Sequence, residues 1–290
     1  MIQGVYWHNS RNEWCRMQGA GCMLQGEKTI HIMKKALQIL YFGLMLFPAG
    51  CVTLYKPNAI NSPLLKEKGD LNTSASIGVS GCGLFNLQAS YAISNHAGLM
   101  VDGMYHNRHN EIDDFSVENL NMFFGEAGAG YFTRFGTEKS GLFQFYGGGG
   151  YGITNDKITN SNQPNPEVSA KYFNIFIQPG VALTSDYFDI AFDLRANYVR
   201  LFNIHAYLYD QFAWWNTDFN YYSGATLDFM NLEPVVTIKA GGEKLKGIFQ
   251  LGVIIPTINS RSYFNVNNAS LFVAPLIKFS LGVNYSFGRK

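Results

Sequence analysis

The sequence predicts an all-β fold: a closed, antiparallel, transmembrane β-barrel of about ten strands, within a range of roughly 8–12. Three observations carry this. From Leu71 to the chain end, apolar and polar residues alternate with a period of two. That suits a strand, and a helix of 3.6 residues per turn would scramble it. Only 15% of the 290 residues are charged, whereas 15% are aromatic and 30 are glycine. The mean hydropathy of −0.04 fits strands with two opposite faces. It excludes a polytopic helical membrane protein, which needs many apolar runs of ~20 residues. A net charge of +1 leaves no electrostatic footprint for nucleic acid. A hydrophobic content of 47% rules out a disordered chain, and four cysteines are too few for a disulfide scaffold.

The first fifty residues read as addressing. Residues 1–32 are polar and without period, as expected of an upstream extension from a misplaced start codon, with Met33 the true start. Zinc binding by His8, Cys15, Cys22 and His31 is the alternative, but their spacing fits no compact zinc pattern. Met33-Lys34-Lys35, the apolar run Ala36 to Phe47 and the small residues before Cys51 give residues 33–50 the layout of a signal peptide. Ala49-Gly50-Cys51 resembles a bacterial lipobox, which implies a lipid on Cys51 and makes it the mature N-terminus. Leu46 and Phe47 with Pro48 depart from the strict pattern, which asks for a leucine nearer the cysteine. From Cys51 on, the chain has 17 basic and 19 acidic residues and only Cys51 and Cys82, hence no internal disulfide. Residues 51–70, with Pro57, Pro63 and Lys66-Glu67-Lys68, read as a periplasmic tether, and 71–290 as the barrel.

Ten segments alternate, in order: Leu71–Ser80, Leu84–Ile93, Leu99–Tyr105, Asn119–Arg134, Leu142–Tyr151, Ala170–Leu183, Tyr187–Leu201, Phe229–Ala240, Lys246–Ile255 and Val273–Phe287. The seventh and tenth are the clearest. After the tight first turn Gly81-Cys82-Gly83, short connections (94–97, 136–140, 184–186, 241–244) alternate with long ones (106–118, 152–169, 204–228, 256–271). Short periplasmic turns and long outer loops mark an outer-membrane barrel. An even strand count then puts both mature termini in the periplasm. Alternation alone also fits a soluble sandwich or lipocalin-like barrel. Aromatics gathered near strand ends, as interface girdles require, favour the membrane.

The last strand adds a more specific signal. Ser280-Leu281-Gly282-Val283-Asn284-Tyr285-Ser286-Phe287 runs polar, Gly, aromatic, aromatic near the chain end. It resembles the β-signal read by the β-barrel assembly machinery, although Gly288-Arg289-Lys290 follow the final aromatic. Residues 51–287 resemble small outer-membrane β-barrel lipoproteins of Gram-negative bacteria. The carrying segments are Leu87 to Ala92 with Asn95-His96, Gly125 to Tyr131, Phe176 to Pro179, and Tyr187 to Phe192 with Arg195. The resemblance implies a barrel in the cell outer membrane with lipid as its neighbour. It implies no activity.

With the apolar parity facing lipid, the lumen receives Asp102, Glu126, Asp189, Asp193, Glu233, Arg195, Lys239, Lys246 and Lys278, together with Gln88, Asn174, Gln178 and Gln250. Charges of both signs in a narrow barrel should pair, because an isolated buried charge is costly. Ten strands enclose little more than side chains, so a packed, salt-bridged interior is expected. A proton or ion path is the alternative, and the rough balance of signs argues against a one-sign selectivity ring. Two outer loops carry candidate sites. His106, His109, Glu111, Asp113 and Asp114 have the chemistry for a divalent cation or for acid–base catalysis. Ten-stranded outer-membrane proteases place such groups at the rim, but they need partners from opposite walls. The facing His205, Asp210 and Asp218 carry no motif, so a solvated loop is the plainer account. Tyr209, Phe212, Trp214 and Trp215, within an aromatic-rich 204–228, could stack on a glycan or an extracellular protein, or simply form a girdle and tip. Gly147 to Gly150 lacks the Lys-Ser/Thr and helix of a phosphate loop and fits a crowded lumen strand. The sequence therefore points to a structural or surface-interaction barrel, without catalysis, cofactor, metal or nucleic-acid partner. The alternatives are an outer-rim hydrolase using 106–118 and a narrow small-solute channel.

Overall fold

Alternating side chains make each strand a two-faced ribbon, and a sheet of such ribbons must bury or cover both faces. In the computed structural model the described residues are 55–78, 84–113, 116–136, 140–160, 167–209, 219–258, 264–266, 269–271 and 277–288. The strands are β1 (Leu71–Gly78), β2 (Leu84–Ala92), β3 (Ala97–Asp113), β4 (Ser116–Phe135), β5 (Gly141–Asn160), β6 (Glu167–Thr184), β7 (Phe188–Tyr209), β8 (Phe219–Gly241), β9 (Leu245–Val253), β10 (Ile255–Ile258), β11 (Phe264–Val266), β12 (Ala269–Leu271) and β13 (Ile277–Ser286). Neighbours pair antiparallel in chain order from β1 to β9, and β13 pairs with both β9 and β1. The β1–β13 ladder, Asn72↔Ser286 to Gly78↔Ser280, closes a ten-stranded barrel and removes its edges. β10 resumes after Ile254 and pairs with β8, while β11 and β12 form a separate two-stranded sheet. No described residue is helical.

The outer face is apolar where a membrane would lie. On β6 it reads Phe173, Ile175, Ile177, Pro179, Val181, Leu183, with Lys171 next beyond it on the same parity. That span matches the ~9–11 residues a tilted strand needs to cross a bilayer. Exposed aromatics ring it at two levels. Phe85, Tyr105 and Phe123 stand toward the long-strand mouth, and Tyr131, Phe145 and Tyr285 near the short turns.

Above the upper ring the wall continues, unlike the expected loops. β4 and β5 each have 20 residues and β7 and β8 have 22 and 23, well beyond a membrane crossing. Residues 106–118, expected to be a loop, are mostly the ends of β3 and β4. Polarity inverts there. Asn107, His109, Glu111, Asn121 and Lys157 face out, whereas Leu120, Met122, Val168 and Ile204 are buried inside with Tyr55. The cause is solvent: water surrounds the extension, so its apolar residues turn inward as in a soluble barrel.

The largest departure concerns residues 55–66. Read as part of a periplasmic tether, they instead run extended through the barrel interior, with Tyr55 to Leu65 buried. Pro57 and Pro63 hold the segment extended and block helix, and no charged residue interrupts Pro57 to Leu65. The wall is thin enough to admit it. A Cβ at Gly148 would stand 2.2 Å from the Ala127 carbonyl oxygen, and one at Gly150 would stand 2.6 Å from Cβ of Glu126. Glycine there keeps the inner face flat. Direction is set by contacts at both ends. Lys56 Nζ lies 3.0 Å from Nε2 of His106 at the long-strand side, and the Lys68 N–H donates to Asn95 in a short turn at 3.0 Å. At the other chain end, the Phe287 N–H donates to the Leu71 carbonyl at 2.7 Å, beside the short turns. The first and last described residues thus stand at opposite mouths, whereas an even strand count alone predicts one shared mouth. The internal pass is the extra crossing.

Candidate functional site

The lumen is where charge and unusual geometry concentrate. Strand parity turns Asp102, Glu126, Asp189, Asp193, Arg195, Glu233, Lys239, Lys246 and Lys278 inward, and all nine are buried. Three pairs form among them. Arg195 Nη1 donates to Glu126 Oε1 at 2.9 Å, Lys246 Nζ to Asp189 Oδ2 at 2.7 Å, and Lys278 to Glu233. Arg195 also donates twice to Gln178 Oε1, at 3.1 and 2.8 Å, and its guanidinium lies 4.2 Å from the Phe176 ring centre. A buried guanidinium with these partners is held in one place, since moving it would strand a charge.

The remaining lumen groups grip the inner segment. Asn58 donates to Glu126 at 2.9 Å, Asn61 to Asp102 at 2.7 Å, and Ser62 to Asp193. The main chain is held as well. Gln250 accepts the Ile60 N–H at 2.9 Å and donates to its carbonyl at 2.8 Å. Gln88 donates to the Ala59 carbonyl at 2.9 Å, Gln178 to Asn61 at 2.8 Å, and Lys239 to Ser62 at 3.1 Å. An extended chain far from any sheet partner must satisfy its peptide groups somewhere. Here amide side chains take the part of a neighbouring strand. Apolar plugs cap both ends: Tyr55 packs edge-on to Tyr172 and Phe229, and Leu64 and Leu65 pack on Phe132 and Leu142.

Sequence reasoning did not assign Asn58, Asn61, Ser62, Asn86 or Gln144 to this site. One signal was present. Five acidic lumen residues face four basic ones, and Asp102 and Asp193, absent from the ion pairs above, are the two served by Asn61 and Ser62.

The other candidates do not converge. His106 and His109 are three positions apart on β3, so His106 points in and His109 out. His109 lies 2.7 Å from Asn119 Oδ1, and Glu111 is exposed. No group of three potential metal ligands gathers among the described residues. Asp113 ends β3; Asp114, Asp210 and Asp218 lie outside the described residues, and His205 sits 3.1 Å from Ser223 Oγ. Asp156, inside the extension, accepts no hydrogen bond; burial and then Glu118 raise its pKa to about 6, against Arg108 and Lys56. Tyr209 ends β7, whereas Phe212, Trp214, Trp215, Cys51 and all of residues 1–50 lie outside the described residues. In β13, Ser280 is buried, Gly282 faces in and Tyr285 is exposed; Phe287, just past the strand end, is exposed as well, with its ring 4.5 Å from that of Tyr285.

A closed antiparallel barrel with an uncharged apolar belt and a polar interior is an integral β-barrel membrane protein. Ten antiparallel strands with an outward apolar belt, short turns at one mouth and long strands at the other have the build of a small barrel of the outer-membrane kind. No protein-family model and no curated protein matches the chain. Among solved structures it is similar to the translocator domain of the autotransporter NalP from Neisseria meningitidis, at 11% identity and a TM-score of 0.41, over 75% of this chain and 86% of that one. It is also similar to Ail, the attachment invasion locus protein of Yersinia pestis, at 14% identity and a TM-score of 0.31, over 76% of this chain and 99% of that one.

Proposed function

We propose that the protein is a closed outer-membrane barrel with a structural, surface-facing role, acting neither as an enzyme nor as an open channel. The observation that supports this is the lumen filled by residues 55–65, whose side chains and peptide groups are bonded to the wall. A solute path needs a continuous aqueous passage, and here an inner segment bonded to the wall occupies the interior. In this reading the short turns face the periplasm and the long-strand extension faces outward. Tyr209 with Phe212, Trp214 and Trp215 offers the surface for a glycan or protein. Cys51 carries the lipid, and the assembly machinery engages the strand bearing Ser280, Gly282, Tyr285 and Phe287. Planar-bilayer recordings test the central claim. The intact barrel should be silent, and a variant lacking residues 55–66 should show discrete conductance steps. Equal steady conductance in both would overturn a closed lumen.

A further inference from the structure

We infer that the lumen is a sequence-specific binding site for an extended peptide, with residues 55–65 as its tethered ligand, so that a separate peptide of the same pattern binds there once the tether is cut. This deepens the closed-lumen reading above and rests on it. The ligand class is an uncharged, extended polypeptide that presents amide or hydroxyl donors at the spacing of Asn58, Asn61 and Ser62.

The bonding is that of a bound ligand rather than of a strand. The Ala59, Ile60 and Leu64 N–H groups donate to side chains: Asn86 Oδ1 at 3.2 Å, Gln250 Oε1 at 2.9 Å and Gln144 Oε1 at 3.4 Å. The carbonyls from Ala59 to Ser62 accept from side chains in turn. These wall groups stand on β2, β5, β6, β8 and β9, so the segment is encircled and not added to one sheet edge. Bonds to peptide groups hold an extended backbone whatever its side chains, and they supply affinity.

Selectivity comes from three wall carboxylates. Asp102 and Glu126 face each other across the β3–β4 ladder and accept from Asn61 and Asn58. Asp193, on β7, accepts from Ser62. A return to the same wall after three residues is the period of a polyproline II chain, which Pro57 and Pro63 favour. A strand, with its period of two, would turn Asn58 and Asn61 to opposite sides. All three carboxylates are buried, so they select donors and reject acids. An aspartate in place of Asn58 or Asn61 would set two carboxylates together away from water.

The covalent link to β1 is separate from this grip. Glu67 and Lys68 are exposed, in a turn held by Asp70, whose carboxylate accepts the Lys66 and Glu67 N–H groups at 2.7 and 3.0 Å. Cutting the turn removes none of the bonds made by Asn58 to Leu64.

A site-specific protease sequence inserted between Glu67 and Lys68 tests this on the full chain. Uncut, the barrel should show heat-modifiable migration and silence in planar bilayers. After cleavage in the folded state, the N-terminal fragment should stay with the barrel through gel filtration. Incubation with excess fluorescein-labelled peptide 55–66, in urea below the unfolding midpoint, should exchange label into the barrel. The same peptide carrying Asn58→Asp and Asn61→Asp should bind at least ~10-fold more weakly, because each change removes a hydrogen bond to a charged group. No uptake of the unaltered peptide, whether the fragment stays or leaves, overturns the binding site while a silent uncut barrel leaves the closed lumen standing. Equal uptake of both peptides overturns recognition of the sequence. Conductance steps from the uncut barrel overturn the closed lumen instead.

Discussion

Arg195 and Glu126 show how much the interior asks of single side chains. Both are fully buried, and each completes the other's charge. Arg195→Ala would leave Glu126 uncompensated, and we expect a loss of about 3–5 kcal/mol. Arg195→Met with Glu126→Gln should recover most of that loss, because neither partner then carries a charge. Urea unfolding of the barrel refolded into vesicles measures both. Asp156 supplies a pH dependence of the opposite sense from an ion pair. Its folded pKa of about 6 exceeds the ordinary 3.8, so the folded state holds a proton that the unfolded state has released. Stability from this group is therefore greatest at about pH 4 and below and falls as pH rises through about 6. Unfolding midpoints should rise between pH 7 and pH 5 in the wild type, and this slope should shrink in Asp156→Asn. Parity alone made the inward charges readable, since Asp189, Asp193 and Arg195 alternate with Phe188, Ile190, Phe192 and Leu194. What parity could not supply was which charge meets which, because Glu126 and Arg195 lie on strands that are not neighbours in the sheet.

At the level of the element, closure and filling depend on small residues at crowded ladders. Gly282 pairs with Ser76 across the β1–β13 seam, and a Cβ there would stand 2.3 Å from the Ala75 carbonyl oxygen. Gly282→Val should impair closing of the last strand, seen as loss of the heat-modifiable band while Ser286→Val keeps it. The membrane-embedded strands were legible because alternation there is enforced on both faces, lipid outside and polar groups inside. Their upper continuations were not. In β3 the outward residues change from Leu99, Val101 and Tyr105 to Asn107, His109 and Glu111, so one parity stops being apolar where water replaces lipid. A reading that holds one face apolar throughout ends the strand at that change. The inner segment was less legible still. Tyr55 to Leu65 has no sheet neighbour to impose a period of two, and its peptide groups are satisfied by Gln88, Gln178 and Gln250, remote in sequence.

The whole molecule combines a membrane belt, a soluble-like extension above it and a chain threaded through both. Among the described residues ten strands enclose an inner polypeptide, so bilayer silence and its loss on deleting 55–66 form the broadest test of the proposed closed lumen. Unboiled and boiled samples of outer-membrane extracts should also migrate differently, and fractionation as a soluble protein without that shift would overturn the membrane assignment.

Composition, alternation and the aromatics gathered near strand ends are together enough to predict a closed transmembrane barrel. Lipid on one side and polar contents on the other impose opposite chemistry on successive residues, and that demand is local. The occupant of the lumen, the mouth at which each end of the described chain stands, and the pairing of buried charges came only with the tertiary contacts. Each depends on groups far apart in sequence being brought face to face, and nothing in the local order of residues encodes that meeting.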